Sequence, residues 1–338
     1  MDTVLDNKKI KDTDYLFLST RVRALETQML TRDRMEQMLE ARVPEDAASV
    51  LLDCGYGDIR PLTVTGINEA LSREQEKIYG ELSFFAPDPV LIDVFKVRYD
   101  YHNAKVLLKS EAQGFSADEL LLDLGRVPAR ELREKLLASD FRGLPPLIQE
   151  AVQEARETLG TTKDPQLSDL ILDRACYEDM FAIADGCGSG FLAGYVRISI
   201  DAANLRSAVR AGRMGKGTEF LKTILFEGGN IDVGRVLSAA GVGGSLPDVY
   251  ALSPLKAAAE AGNEALSGGR LTDFERLCDN AVNDYLKTAR LVPFGDAPVV
   301  AYLAAKENEF TAIRILLTSK LAGLEPDTIR ERLRDAYV

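Results

Sequence analysis

The sequence predicts an all-α protein built from three similar helical units. Apolar residues recur every three or four positions along nearly the whole chain, which is the spacing of a helix with one buried face. Alternating β-branched runs separated by Asn-Gly turns, which would indicate strands, do not occur. One short pattern of charged residues followed by a glycine appears three times, and such self-similarity indicates one structural unit used repeatedly.

The repeated pattern is an acid, a basic residue five positions later and a glycine fourteen positions after the acid. Glycine lacks the Cβ that makes a left-handed residue costly, so we expect each of these glycines to end its helix. A fainter copy, in which Arg23 takes the basic position, lies near the start of the chain. The three full copies are Asp100, Asn103, Lys105 and Gly114, then Asp201, Asn204, Arg206 and Gly215, then Glu309, Ala312, Arg314 and Gly323.

Capping residues, prolines and glycines predict where each helix begins and ends. Thr31 can cap the second helix, and Pro44 suits the first turn of the third. Ser116 begins a capping box, which predicts a helix that carries residues 120–122. The other predicted helices span about residues 14–30, 33–41, 44–54, 66–82, 90–112, 128–139, 146–160, 165–186, 190–212, 219–226, 232–239, 247–263, 271–288 and 298–321, with a short one after residue 326. The repeats place the three units at about residues 1–103, 104–204 and 205–338.

Composition and charge exclude several classes of partner. The chain has 53 acidic and 41 basic residues, a net charge of −12, whereas a nucleic-acid partner requires a basic face. No apolar run approaches the roughly 18 residues that span a bilayer, so we expect no direct membrane insertion. The N-terminus lacks the apolar core of a signal peptide, and the four cysteines form no CxxC pair. These features predict a cytoplasmic chain with reduced thiols.

We predict no catalytic, cofactor-binding or metal-binding residues. A histidine-based zinc site, a Ser-His-Asp triad or a Cys-His dyad would have to use His102, which is the only histidine and has no equivalent in the other copies. The glycine-rich segments 186–190, 215–218 and 241–245 follow no predicted strand and lack the spacing of a phosphate-binding loop. We interpret them as helix stops and turns.

The helical wheel assigns the repeated asparagine a structural role. Asn103 shares one stripe with Phe95, Tyr99 and Val106, which predicts a buried, hydrogen-bonded amide. The alternative is a surface used by a partner. We expect the flanking charged residues to be solvated or in weak local ion pairs. The positions considered under either reading are Arg98, Asp100, Asn103, Lys105, Arg197, Asp201, Asn204, Arg206, Lys306, Glu309 and Arg314.

Three segments, taken in order and spacing over nearly the whole chain, carry a resemblance to a known family. They are Tyr15-Leu16-Phe17 with Arg21-Val22-Arg23-Ala24-Leu25-Glu26, Met29 and Leu30, then Val97-Arg98-Tyr99-Asp100 with Asn103 and Lys105, then Tyr302-Leu303-Ala304-Ala305-Lys306-Glu307-Asn308-Glu309 with Arg314, Lys320, Gly323 and Tyr337. With these features the chain resembles the C subunit of the prokaryotic V/A-type ATPases (ATP synthases), whose homologue in the eukaryotic vacuolar enzyme is the d subunit.

The resemblance implies a non-catalytic component of the central rotor. It implies three helical lobes arranged about a threefold axis as a funnel, with a base on the cytoplasmic face of the membrane ring and a mouth for the rotary shaft. The partners would then be the components of the shaft and the ring, and no cofactor would be needed. It leaves open whether protons or sodium ions are moved and whether ATP is made or hydrolysed. The alternative is an all-α repeat scaffold, or an enzyme with an unrecognised pocket.

Overall fold

The computed structural model describes residues 11–241 and 244–338. Within these ranges the chain folds into α-helices and short 3-10 turns without a strand, so the predicted all-α class is confirmed. The expectation about the signal peptide concerns residues that lie outside the described ranges, and so does part of the predicted turn at 241–245.

Between residues 11 and 162 the chain contains seven α-helices, and the two longest of these are consecutive. Helices α4 and α5 follow one another across a short link and have 22 and 24 residues. The bounds are α1 Leu16–Glu26, α2 Arg32–Glu40, α3 Pro44–Ser49, α4 Val64–Phe85, α5 Val90–Gln113, α6 Ala129–Ala138 and α7 Pro146–Thr162.

The rest of the chain repeats the same arrangement, in which two consecutive long helices are followed by short ones. Helices α8 and α9 form the second long pair, and α14 and α15 form the third. The bounds are α8 Pro165–Gly186, α9 Gly190–Arg213, α10 Thr218–Ile224, α11 Val233–Ala239, α12 Leu246–Tyr250, α13 Lys256–Leu266, α14 Leu271–Lys287, α15 Asp296–Leu321 and α16 Pro326–Arg330.

The three repeated glycines lie just beyond the second helix of each long pair, as the sequence predicts. Gly114, Gly215 and Gly323 have φ angles of 73°, 67° and 71°. This left-handed backbone closes a helix end, and glycine adopts it without a steric penalty. Each long helix therefore stops at the equivalent place in its copy of the pattern.

Helix α15 is the centre of the fold. Helices α1, α4, α5, α9 and α14 all pack against it. Its buried residues therefore occur on every side rather than in one stripe, from Val299 through Ile313 to Leu317. They belong to the main apolar core, which extends from Tyr15 to Tyr337, whereas a smaller second core lies between α9 and α14.

Three predicted helices differ from the structure for identifiable reasons. The first helix ends at Glu26 rather than residue 30, because the Leu30 amide is bound by a side chain of α15. The segment after Ser116 forms only a 3-10 turn, Asp118–Leu120, because the Asn103 side chain binds the backbone of Leu122 in an extended form. The predicted helix 247–263 is two helices, since Pro254 has no amide hydrogen to continue the ladder.

Candidate functional site: three joints and a polar cavity

The two repeated asparagines make the same pair of hydrogen bonds in the first two copies of the pattern. Asn103 Nδ2 donates to the Leu122 carbonyl at 2.7 Å, and the Leu122 amide donates to Asn103 Oδ1 at 2.9 Å. Asn204 makes both bonds with Phe226 at 2.8 Å. Both side chains are at most 1% exposed. Each asparagine therefore ties the middle of a long helix to the extended segment that follows it, as the structural interpretation predicts.

The repeated aspartates hold the next part of the same segments. Asp100 accepts from the Val127 amide at 3.0 Å and from Arg126 Nε at 2.7 Å. Asp201 accepts from the Ile231 amide at 3.0 Å and from the Asn230 amide at 3.1 Å. Burial raises the pKa of both carboxyls, although the hydrogen bonds act in the opposite direction. The expectation that these carboxylates are solvated or in weak local ion pairs is thus wrong, because both are buried, at 0% and 2% exposure, and Asp100 pairs with Arg126, which is 26 residues away.

A glycine makes room for each of these carboxylates. A Cβ added to Gly125 would overlap Asp100 Oδ1, and one added to Gly229 would overlap Asp201 Oδ1. Neither glycine has a positive φ, so their requirement for glycine arises from close approach rather than from backbone conformation. We call the acid, the asparagine and the segment they bind a joint.

The third joint uses residues from the other end of the chain. Glu309, in the acid position, accepts from the Leu30 amide at 2.7 Å, from the Tyr56 hydroxyl at 2.5 Å and from Lys306 Nζ at 2.6 Å. The lysine also lies 4.6 Å from the centroid of the Tyr56 ring. Ala312, in the asparagine position, makes no side-chain hydrogen bond. In the third joint the bound segment therefore comes from the N-terminal region. In the other two joints it is the segment that follows α5 or α9 in the chain.

The repeated basic residues join each long pair to another. Lys105 of α5 binds Asp173 of α8 at 2.5 Å. Arg206 of α9 binds Asp279 of α14. One turn further along, Lys109 binds Asp169 at 2.6 Å and Arg210 binds Glu275 at 2.5 Å. In the third copy, Arg314 Nε of α15 donates to Asn68 Oδ1 of α4 at 2.9 Å. The links thus run from the first pair to the second, from the second to the third, and from the third back to the first.

A polar cavity of about 390 Å³ lies between these helices. It brings together Arg98, Lys105 and Arg206 from the predicted positions, with Asp173, Asp279 and Asn308. Arg98 donates to the Tyr195 hydroxyl at 3.2 Å. Arg197 is exposed and does not line the cavity, and Lys306 and Glu309 are buried in the third joint.

The cavity lining also contains side chains of types that act as nucleophiles or bases in enzymes. Cys176 and His102 both line it. Burial raises the pKa of the Cys176 thiol to about 12, so this thiol stays protonated at neutral pH and is a weak nucleophile. The His102 ring is instead 3.0 Å from the Leu120 carbonyl. Among residues 11–241 and 244–338, no group of three His, Cys, Asp or Glu side chains could hold a metal ion.

Sequence reasoning missed the residues that complete the joints. Gly125 and Gly229 occupy equivalent segments, one after α5 and one after α9, so comparison of those segments could have identified them. No local signal indicated that Leu30 and Tyr56 bind Glu309, because this partner is far away in the chain. In the part of the chain that the structure describes, no helix combines the length and apolar character needed to cross a bilayer.

These features define an all-α protein with three joints and a polar cavity that is lined by residues of its long helices. The family model for the ATP synthase (C/AC39) subunit matches residues 18–332, so the chain belongs to that family. The chain is 24% identical over 330 residues to the C subunit of the V-type sodium ATPase of Enterococcus hirae, a match that covers 96% of this chain and 99% of that protein.

Two further relatives have similar names and similar coverage. The C subunit of the A-type ATP synthase of Methanocaldococcus jannaschii is 24% identical over 342 residues, with 94% of this chain and 86% of that protein covered. The C subunit of the V-type ATP synthase of Thermus thermophilus is 26% identical over 330 residues, with 95% and 98% covered. The predicted family is therefore confirmed.

Proposed function

We propose that the chain is a non-catalytic component of the central rotor of a V/A-type ATPase. It would couple the rotary shaft to the membrane ring, in ATP-driven proton or sodium transport or in ATP synthesis. The family match and the names of the relatives support this assignment. The protein would then be cytoplasmic and associated with the membrane only through the ring.

The single observation that carries the proposal is the closed order of the links between helix pairs. Lys105 links the first pair to the second, Arg206 links the second to the third, and Arg314 links the third to the first. Three like units joined in a cycle can surround an axis, so we propose that they form a funnel with approximate threefold symmetry. Residues 90–140, 190–240 and 298–336 should then superpose by rotation about that axis.

The joints suit a part that must transmit torque. Each joint fixes the segment after a long helix through buried hydrogen bonds, and buried polar groups that are fully satisfied make a local structure rigid. A coupler needs stiffness and contact area, and it does not need a nucleophile. The protonated thiol of Cys176 is consistent with such a role.

The polar cavity is the proposed binding site, or seat, for the shaft. Its charged and polar lining can stay exposed to water before assembly, whereas an apolar lining of interface size would promote aggregation. Asn308 contributes to the lining and is itself exposed, so a larger side chain at this position would enter the cavity without disturbing a joint.

A blocking substitution tests this assignment. We expect Asn308→Arg to weaken binding of the isolated shaft by tenfold or more, measured by calorimetry. Asn263→Arg places the same side chain at an exposed position of α13 outside the cavity and should leave affinity within twofold. Equal affinities for the two variants would contradict the proposed seat. The wild-type protein should show no saturable binding of ATP in the same instrument.

A further inference from the structure

The C-terminal ends of α5, α9 and α15 are held in different ways. At the end of α9, Arg213 donates to the Ala265 carbonyl at 3.1 Å and to the Gly269 carbonyl at 2.8 Å, where α13 leads into α14. Near the end of α15, Lys320 donates to the Ala41 carbonyl at 2.7 Å, at the end of α2. In two of the three copies of the pattern, a basic side chain therefore ties the end of the long helix to the backbone at the end of a shorter helix.

In the second copy, a leucine also fills the space beside the end of the long helix. Leu266 is the last residue of α13. A Cβ added to Gly212 of α9 would lie 2.6 Å from Leu266 Cδ2, so the leucine side chain lies directly against the α9 backbone. An aliphatic group thus occupies the place between α9 and the hairpin of α13 and α14.

The same place in the first copy is open. Ala112 stands twelve residues after Asp100, as Arg213 stands twelve after Asp201, and alanine has no side-chain donor. The hairpin beside α5 is formed by α7 and α8, and no atom lies within 4 Å of a Cβ added to Gly160 of α7. A cavity of about 380 Å³ remains between the ends of α5 and α7 and the start of α8. We call this cavity the corner, and its walls include Leu108, Ala112, Leu159, Gly160, Lys163 and Pro165.

The walls of the corner are largely apolar. Leu108 and Leu159 belong to the main apolar core, and Ala112 and Pro165 line the corner with them. A volume of 380 Å³ is near the lower end of the range for small-molecule sites, which is about 300 to 1,000 Å³. Since Leu266 fills the equivalent place in the second copy, an aliphatic group is the chemistry that suits this space.

One positive charge in the corner has no partner. Three basic side chains line it, and two of them are paired: Arg156 with Glu111 at 2.5 Å and Lys109 with Asp169 at 2.6 Å. Lys163 is exposed and takes part in no ion pair within residues 11–241 and 244–338. A carboxylate carries one negative charge at neutral pH and balances this lysine, whereas a phosphate monoester carries about 1.5 to 2 charges.

We propose that the corner binds a small aliphatic carboxylate, whose chain covers the apolar walls and whose carboxylate pairs with Lys163. The ligand would join the end of α5 to the hairpin of α7 and α8, as Leu266 and Arg213 join the end of α9 to the hairpin of α13 and α14. This site goes beyond the proposed function and does not depend on it, because the corner and the polar cavity have no lining residue in common.

The test titrates octanoate, below its micellar concentration, into the full-length protein in a calorimeter. We expect saturable one-to-one binding by the wild type. Gly160→Leu fills the corner and should weaken this binding by tenfold or more, while the melting temperature stays the same or rises, because leucine favours a helix more than glycine does. Gly80→Leu is the matched control, since Gly80 of α4 is an exposed helical glycine with equally open surroundings and lies outside the corner.

A second substitution tests the charge. Lys163→Gln should weaken octanoate binding about fivefold, since a partly exposed ion pair contributes up to about 1 kcal/mol, and should leave binding of the neutral octanol unchanged. Lys256→Gln is the matched control, because Lys256 is an exposed lysine of α13 that does not line the corner. Circular dichroism should be the same for all variants.

Three results would overturn the proposal. The first is a wild-type protein that shows no saturable binding of octanoate. The second is octanoate binding by Gly160→Leu that equals binding by the wild type, which would place the ligand elsewhere. The third is octanoate binding that Lys163→Gln leaves unchanged, which would show that the lysine does not recognise the carboxylate. Shaft binding should be normal in every variant, so failure of the proposed function would leave this test intact.

Discussion

Replacing Asn204 by alanine is the sharpest test of the joints. The substitution removes both hydrogen bonds to Phe226, each 2.8 Å long, and leaves a buried amide and a buried carbonyl without partners. Each lost bond costs about 1 kcal/mol, and a backbone group left unsatisfied costs about 1 to 3 kcal/mol. We therefore expect Asn204→Ala to lower the free energy of unfolding by about 2 to 5 kcal/mol.

Hydrogen exchange at Phe226 isolates this effect from the rest of the fold. Local opening of the joint exposes the Phe226 amide, so a loss of about 2 kcal/mol corresponds to exchange that is roughly thirtyfold faster at that site. Asn230→Ala is the control, because its side chain binds Asp201 in the same joint while the Phe226 bonds remain. The same substitution at Asn103 should accelerate exchange at Leu122. Unchanged Phe226 exchange in Asn204→Ala would refute the argument that the asparagine holds the joint.

Three further predictions concern the joints and the cavity. Gly125→Ala should lower the free energy of unfolding in urea by about 1 to 3 kcal/mol, because its Cβ would overlap Asp100. Gly160→Ala, in open space on α7, is the control and should be neutral or stabilising. Equal effects of the two substitutions would contradict the close approach of Gly125 to Asp100. Since folding raises the pKa of Asp201, its contribution is most favourable below the unfolded pKa and is lost as pH rises through the folded value. The unfolding free energy of wild type minus that of Asp201→Asn should therefore decrease between about pH 4 and pH 7, and an increase would be inconsistent with burial as the cause. Shaft binding should weaken as salt rises, because charges are screened beyond about 10 Å at 0.1 M, while circular dichroism stays constant; affinity independent of salt would show that apolar burial dominates.

The parts of the fold that were predictable depend on local chemistry. Gly114 and Gly215 end their helices because of a backbone property that one residue carries by itself. Asn103 is buried because it shares a stripe with apolar neighbours on the same helix. Both facts are encoded within a few residues, so periodicity and spacing are sufficient to find them.

The parts that were not predictable depend on contacts between distant segments. Nothing near Leu30 indicates that its amide is bound by Glu309, 279 residues away. The capping box at Ser116 favours a helix locally, but the tertiary bond from Asn103 to Leu122 takes precedence over that preference. The contact between the Phe17 and Phe85 rings was equally hidden, since these residues of α1 and α4 are far apart in the chain.

The third joint makes the two ends of the chain depend on each other during synthesis. Tyr56 leaves the ribosome 253 residues before Glu309, its hydrogen-bond partner. At about 5 to 20 residues per second, that interval is about 13 to 50 seconds. During this time the N-terminal region lacks its binding site on α15, because that helix has not yet been synthesised. A chain that terminates early cannot close, and its open N-terminal region is a natural target for chaperones and proteases before it could enter a larger assembly.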